Sequence, residues 1–299
     1  MTLALFIEQL FNGVQFGLML FLMAVGVTLV FGIMRVINLA HGSLFMVGGY
    51  LLVESYRVIG SYWLALPVAI VGVIIVGAVM EVLVLRPLYG RGHLDQVLAT
   101  FGLTMFFNEA VVVIWGRVPL NLNIPAGLDG HFEIFPGVNY PVYRLAITAA
   151  GLICGGLLYF IIVHTRLGAL IRAGSDKREI VEALGVNIGL LYTAVFALGA
   201  AFAGLAGMLT GPLLSVESGM GDPILILTLV VIVIGGSGSI RGALAGSLIL
   251  GIFDTFSRVM LPRIVGLTAG SALVGMADYV LMATVLIYSR TGLFSAHRG

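Results

Sequence analysis

Charge is the scarcest property of this chain. Only 10% of its 299 residues are Asp, Glu, Lys or Arg, against roughly 25% in soluble globular domains. With 60% hydrophobic residues and a mean hydropathy of +1.13, no soluble fold of this length could bury the apolar surface, so composition places the chain inside a membrane, in contact with lipid. Lysine is nearly missing: Lys177 is the only one. A phosphate-binding P-loop needs lysine between Gly and Ser or Thr, whereas Lys177 stands between Asp176 and Arg178, so the chain has no such loop. Lys plus Arg is 15 and Asp plus Glu is 14, which leaves no basic field for nucleic acid. The single cysteine, Cys154, lies in the apolar run GLICGGLLYF. It cannot form an internal disulfide and reads as a small buried hydrophobe. The opening MTLALFIEQLF has no basic segment and carries Glu8, so the first apolar run is expected to be retained as a span rather than cleaved.

What is present is a series of apolar runs. A spanning helix needs about 20 mostly apolar residues. About nine segments read that way, near 9–33, 42–56, 63–85, 95–115, 143–164, 190–212, 223–236, 242–259 and 273–289. The second and seventh are short, which suggests broken helices beside a protein-lined cavity. The runs lack the alternation of a barrel, so the expected fold is all-α: a polytopic membrane protein of about eight to nine transmembrane helices, organised as one domain over 1–299. Arg86 and Arg91 follow the third run, Arg166, Arg172, Lys177 and Arg178 the fifth, and Arg290 and Arg298 the last. Alternating spans put these on one side, so that side is expected to be cytoplasmic and the N-terminus outside. Residues 116–142, rich in Pro, Gly and Asn, read as an irregular external cap, and 213–222 as a shorter outer turn ended by Pro223 at a helix start. Glycines four apart (Gly13 and Gly17, Gly151 and Gly155, Gly207 and Gly211, Gly242 and Gly246) and the small-residue stretch GAAFAGLAG at 199–207 imply close helix packing.

Four constellations could carry chemistry. Arg35, Asn38, His41 and Ser43 interrupt the apolar pattern between the first two spans. They form either a transport-lining helix break or a capped cytoplasmic turn. Gly235 to Gly242, GGSGSIRG, is a glycine-rich break between two apolar helices. It contains the Gly-x-Ser-Gly pattern of rhomboid-type serine proteases, but that chemistry needs a histidine base, and the only histidine after Ser237 is His297 in the tail. Isolated polar residues in spans are Gln15, Thr28, Glu54, Asn108, Glu109, Asp254 and Asp278; Asn108 and Glu109 are candidates for a substrate route, and no pair is spaced as a proton relay or a metal site. Lastly, Asp176 to Leu184, DKREIVEAL, starts with Asp and stops at Gly185. It predicts a short exposed helix, either a solvated connector or a docking helix for a partner.

On these residues the chain resembles the branched-chain amino acid type ABC transporter permeases. FGIMRVINLAHGSLFMVGGYL is similar to their N-terminal signature, RPLYGRGHLDQVLATFGLTMFFNE to the next turn and span, RAGSDKREIVEALGVN to the coupling loop, and FALGAAFAGLAGMLTGPL with GMGDPILILTLVVIVIGGSGSIRGALAGSLILG to the C-terminal half. The match runs in order over nearly the whole chain and fits the H-type permease better than the longer M-type partner. Some relatives carry an acidic residue after His-Gly where this chain has Ser43. The resemblance implies an inner-membrane importer subunit for a small polar solute, most simply a branched-chain or other amino acid, with urea, short amides and small organic acids as alternatives. It implies no enzyme activity and no cofactor on this chain. ATP and Mg would be held by two cytoplasmic ATPases, beside a second permease and a periplasmic binding protein. It places ATPase coupling in the loop 165–189 at Arg172, Asp176, Arg178, Glu179, Glu182 and Gly185. It assigns Arg35, Asn38, His41, Gly42, Gly235, Gly236, Gly238, Ser239 and Gly242 to the pathway or its support. An ATP-independent secondary transporter or channel is the reading from another class.

Overall fold

The computed structural model describes residues 2–34, 36, 38–176, 178–236, 238–289 and 292–294, and for 176 and 178–180 the backbone alone. The apolar runs become helices: α1 (Leu3–Met34), α2 (His41–Ile59), α3 (Tyr62–Met80), α4 (His93–Trp115), α5 (Val142–His164), α6 (Arg166–Asp176), α7 (Arg178–Ala183), α8 (Ile188–Thr210), α9 (Gly221–Gly235), α10 (Ile240–Val265) and α11 (Leu267–Tyr288). Seven helical stretches among the described residues are long and apolar enough to cross a membrane: α1, α3 continued to Leu88, α4, α5, α8, α10 and α11. The remaining two runs are α2, which carries Glu54 and Arg57, and the 15-residue α9. At 1.5 Å per residue α9 spans about 22 Å, short of a bilayer core of about 30 Å.

Three expectations need correction. The cap 116–142 is not irregular throughout: β1 (His131–Phe135) and β2 (Val138–Pro141) pair antiparallel, with a bulge between Glu133 and Phe135. Gly137 makes the turn at φ 83° and donates its N–H to Glu133 Oε1 at 2.8 Å. The charged stretch does not start a helix at Asp176: helix already runs from Arg166 to Asp176 in α6, and residues Arg178–Ala183 form α7, with Lys177 outside the described residues. Cys154 is half-buried rather than buried.

The helices form two compact groups. One comprises Met1–Ala24, Ile124–Ile153 and Ile226–Gly299; the other comprises Val25–Asn123 and Cys154–Leu225. In the first, small residues bring α1 against α10: a Cβ on Gly17 would stand 2.8 Å from the Ser247 carbonyl oxygen, and one on Gly13 2.7 Å from Ile252 Cα. Phe6 and Phe256 add a tilted ring contact at 5.3 Å. Asn12 Oδ1 accepts from Tyr140 Oη at 3.0 Å and from Arg144 Nη1 at 2.6 Å, which ties β2 and the start of α5 to α1. Burial pushes the Tyr140 hydroxyl above its ordinary pKa, with Arg144 opposing, so it remains a donor.

The second group is built around α2. Twelve of its nineteen residues are buried, because α8 packs against it at backbone distance and α3 brings Gly72 against the Leu51 side chain. A Cβ on Gly48 would stand 2.6 Å from Gly204 Cα, and one on Gly207 2.8 Å from the Phe45 carbonyl carbon. Close approach of this kind replaces the hydrophobic drive that lipid cannot supply.

Candidate functional site

The polar interruption after α1 is turned inward. Asn38 accepts from the Ala40 N–H through Oδ1 at 3.0 Å, forming the bend that starts α2. His41, the first residue of α2, is fully buried. Its ring meets Phe196 edge-on at 6.4 Å and 88°, and lies against Gly26, where a Cβ would stand 2.9 Å from Cε1. Gly26 itself touches Gly199, the midpoint of α8. Thus α2 begins level with the middle of a spanning helix and not at its end.

A second helix begins at the same level. A Cβ on Gly42 would stand 2.8 Å from the carbonyl oxygen of Gly221, the first residue of α9. Two helix N-termini therefore meet, backbone to backbone, deep in the second group. Around them the polar atoms are poorly satisfied. Asn38 Nδ2, both ring nitrogens of His41, Ser43 Oγ and Thr28 Oγ1 are buried with no hydrogen-bond partner among the described residues. Unpaired buried polar atoms cost about 1–3 kcal/mol each, so a cluster of them calls for an explanation.

Asn108 joins this neighbourhood. Its Nδ2 donates to Asp222 Oδ2 at 3.1 Å, and its backbone carbonyl accepts from Ser218 Oγ at 2.8 Å. Glu109, the other sequence candidate, is exposed on a different face of α4 among Gly102, Met105, Phe106, Ala110, Val113 and Ile114. The end of the group beyond Asn108 is laced by Trp115 Nε1 donating to Glu54 at 3.1 Å and by an antiparallel bridge between Leu120 and Val216.

The opposite end carries a network that sequence reasoning missed. The carboxylate of Glu81 is fully buried and accepts from Arg86 Nη2 at 3.0 Å, Tyr89 Oη at 2.7 Å and Thr193 Oγ1 at 2.7 Å. Arg86 also donates to the Gly189 carbonyl at 3.2 Å. Residues Glu81–Leu85 form a π-helical turn. That turn aligns positions five apart, which an α-helix would splay. Burial, and then the bond to Glu81, raises the pKa of Tyr89 and keeps its hydroxyl a donor. The available signal was Glu81 and Arg86 at spacing five, flanking the purely apolar run VLVL.

Next to this network lies the charged stretch. Arg172 and Glu182 are exposed, while Ile171 and Val181 are buried. The Arg172 guanidinium donates to the Ile162 carbonyl. Asp176, Arg178 and Glu179 fall on α6 and α7, and Lys177 and Arg35 lie outside the described residues. Gly185 closes α7 at φ 85°, with its N–H on Glu182 O at 2.9 Å and that of Val186 on Val181 O at 3.3 Å. This is the left-handed Gly stop with paired return bonds.

In the first group, the glycine-rich break forms a tight corner. Gly235 and Gly242 meet backbone to backbone, Ser239 caps α10 by accepting from Gly242 N at 3.0 Å, and Gly236 and Gly238 have φ of 97° and 80°. Ser237 lies outside the described residues. Leu293 and Phe294 donate their N–H groups to Ile234 O at 2.9 Å and Gly235 O at 3.0 Å, completing the end of α9. Asp254 and Asp278 are buried, and Asp254 accepts from Arg258 Nε at 2.7 Å. Among the described residues no group of three or more His, Cys, Asp or Glu could hold a metal ion.

Residues 9–289 match the family described as branched-chain amino acid transport system, permease component. The chain belongs to this family. Among relatives of this permease, the high-affinity branched-chain amino acid transport system permease protein LivH of Escherichia coli K12 is 28% identical over 308 residues, covering 96% of this chain and 95% of LivH. BraD of Pseudomonas aeruginosa, described in the same words, is 29% identical over 303 residues with the same coverage. The ribose import permease protein RbsC of E. coli K12 is 28% identical over 259 residues, covering 83% of this chain and 77% of RbsC. No solved structure matches. As a permease component the chain is a multi-pass membrane transport subunit and not an enzyme.

Proposed function

We propose that this permease is the membrane subunit of an ABC importer in a bacterial inner membrane and carries a branched-chain or similar amino acid inward. The energy comes from ATP, with Mg, hydrolysed on two partner ATPases, and a second related permease and a periplasmic binding protein complete the assembly. The observation that carries this reading is the match over nearly the full length of both LivH and this chain. RbsC aligns with less of either chain, which favours an amino acid over a sugar.

The coupling surface is the α6–α7 segment with its Gly185 stop, which carries Arg172, Asp176, Arg178, Glu179, Glu182 and Gly185 and meets the ATPase from the cytoplasm. Arg86 supports that orientation: its bonds to Gly189 and Thr193 hold the basic turn after α3 at the same end as the start of α8. The N-terminus is then outside, and the 116–142 segment faces the binding protein.

Replacing Gly185 by valine forces a β-branched residue to φ 85°, costing about 1–2 kcal/mol locally and misaiming α7. The expected outcome is normal membrane levels, with leucine uptake and binding-protein-stimulated ATPase activity both sharply reduced in proteoliposomes. Normal stimulated ATPase activity in Gly185→Val and in Glu182→Arg would remove the coupling assignment. Purification of the wild-type chain in mild detergent tests the assembly directly. Co-purifying ATPases and a second permease support it; a lone chain that transports leucine without ATP overturns it.

A further inference from the structure

The meeting point of α2 and α9 accounts for features that packing alone does not. Two helices start there, and a helix N-terminus carries a partial positive charge suited to an anion. Discontinuous membrane helices use such ends for anionic solute groups near the bilayer midplane. Here the ends are not merely present. Asn38, His41 and Ser43 are at most 4% exposed, and each has a polar atom without a partner among the described residues. Asn38 is held by its own Oδ1 at the entrance of α2, which leaves its amide N–H groups at that entrance. Ser43 adds a hydroxyl in the first turn. These are neutral hydrogen-bonding groups, suited to a carboxylate that must bind and leave again.

One residue beyond the Gly42–Gly221 contact stands a carboxylate, Asp222, which accepts from the neutral Asn108 amide. A neutral-donor pocket beside a carboxylate is complementary to a molecule with both charges close together. A sugar would offer the Asp222 carboxylate no cation, and a simple carboxylic acid would be repelled by it.

We infer that Asn38, His41 and Ser43 at the start of α2, with Asp222 at the start of α9, form the mid-membrane station for an α-amino acid zwitterion. Its carboxylate meets the α2 entrance and its ammonium group meets Asp222. The Gly42–Gly221 contact closes the station in this state, and separation of the two helix starts admits the solute. This assignment rests on the importer reading and names where the solute's charged ends are held.

The test uses the single native cysteine to advantage. In a Cys154→Ala parent, within the full importer in proteoliposomes, Ser43→Cys is exposed to a small uncharged methanethiosulfonate reagent, which Asp222 does not repel. Labelling is expected only during ATP turnover, and L-leucine at ten times its half-protecting concentration should slow it by roughly tenfold, as occupancy of one site requires. The matched variants Asn38→Leu and Asp222→Asn should lose leucine uptake while binding-protein-stimulated ATPase activity persists, which a folding defect would not allow. A Ser43→Cys importer that stays unlabelled in turnover, or is labelled without protection by leucine, overturns the station. A parent without ATP-dependent leucine uptake overturns the importer reading beneath it, a distinct result.

Discussion

Leucine in place of Gly207 is expected to weaken the packing of the helices around α2 and lower the melting temperature. The obstacle to a new Cβ is the Phe45 carbonyl group, with the carbon at 2.8 Å, and backbone cannot step aside as a side chain can. Overpacking usually costs about 1–3 kcal/mol, and more where nothing yields. A cost at the upper end lowers the melting temperature by roughly 5–10 °C for a chain of this size. Gly102→Ala is the control: its Cβ would meet nothing within 4 Å, so its melting point should stay near wild type. Both are read by thermal unfolding of detergent-purified protein. Equal melting of Gly207→Leu and wild type would mean that α2 and α8 are not held at backbone distance.

Removing Arg86 is the second large effect. Glu81 is 0% exposed and Arg86 41%, so Arg86→Ala leaves a buried carboxylate without its cation, while the reverse loss leaves a cation that water can reach. Taking the cation from a buried carboxylate is destabilising, and the loss is moderated here because Arg86 itself meets water and Tyr89 and Thr193 still donate to Glu81. Glu81→Gln should cost less, and the double variant Glu81→Gln/Arg86→Met should recover much of the loss, since the uncompensated charge is gone. A double-mutant cycle on melting temperature reads the coupling. Additive losses would show that the two residues act independently. Because Arg86 also holds Gly189 and Thr193, the single variant should loosen the start of α8, directly after the charged stretch.

Much of the fold was legible because lipid imposes one rule on every span. The apolar runs mapped onto helices, and the short runs at 42–56 and 223–236 were the two that begin inside the protein. The polar cluster Asn38, His41 and Ser43 was visible as an interruption, since polar groups stand out against apolar neighbours. What did not show was pairing across distance. Asn108 and Glu109 are adjacent in sequence, yet one meets Asp222 and the other is exposed on an apolar face; helical phase decides this, and a uniformly apolar helix gives no phase. Glu81 was passed over because its network reaches Thr193 and, through Arg86, Gly189, more than a hundred positions away, and its near partner Arg86 faces it only through a π-turn. The β-hairpin was hidden by Pro, Gly and Asn, which also mark irregular loops.

The two helical groups also differ in when they can be completed. The one around α2 is contained within 25–225, and every part of it exists once Leu225 has been synthesised. The other draws on the first 24 residues, a central stretch and the last quarter, and its final bonds, from Leu293 and Phe294 to the end of α9, come from the last residues described. At about 5–20 residues per second, the carbonyls of Ile234 and Gly235 wait roughly 3–12 seconds for those donors. During that interval the polar end of α9 depends on water or on the insertion machinery, so synthesis of residues 293–294, rather than membrane entry of α9, is the event that lets this half of the permease close.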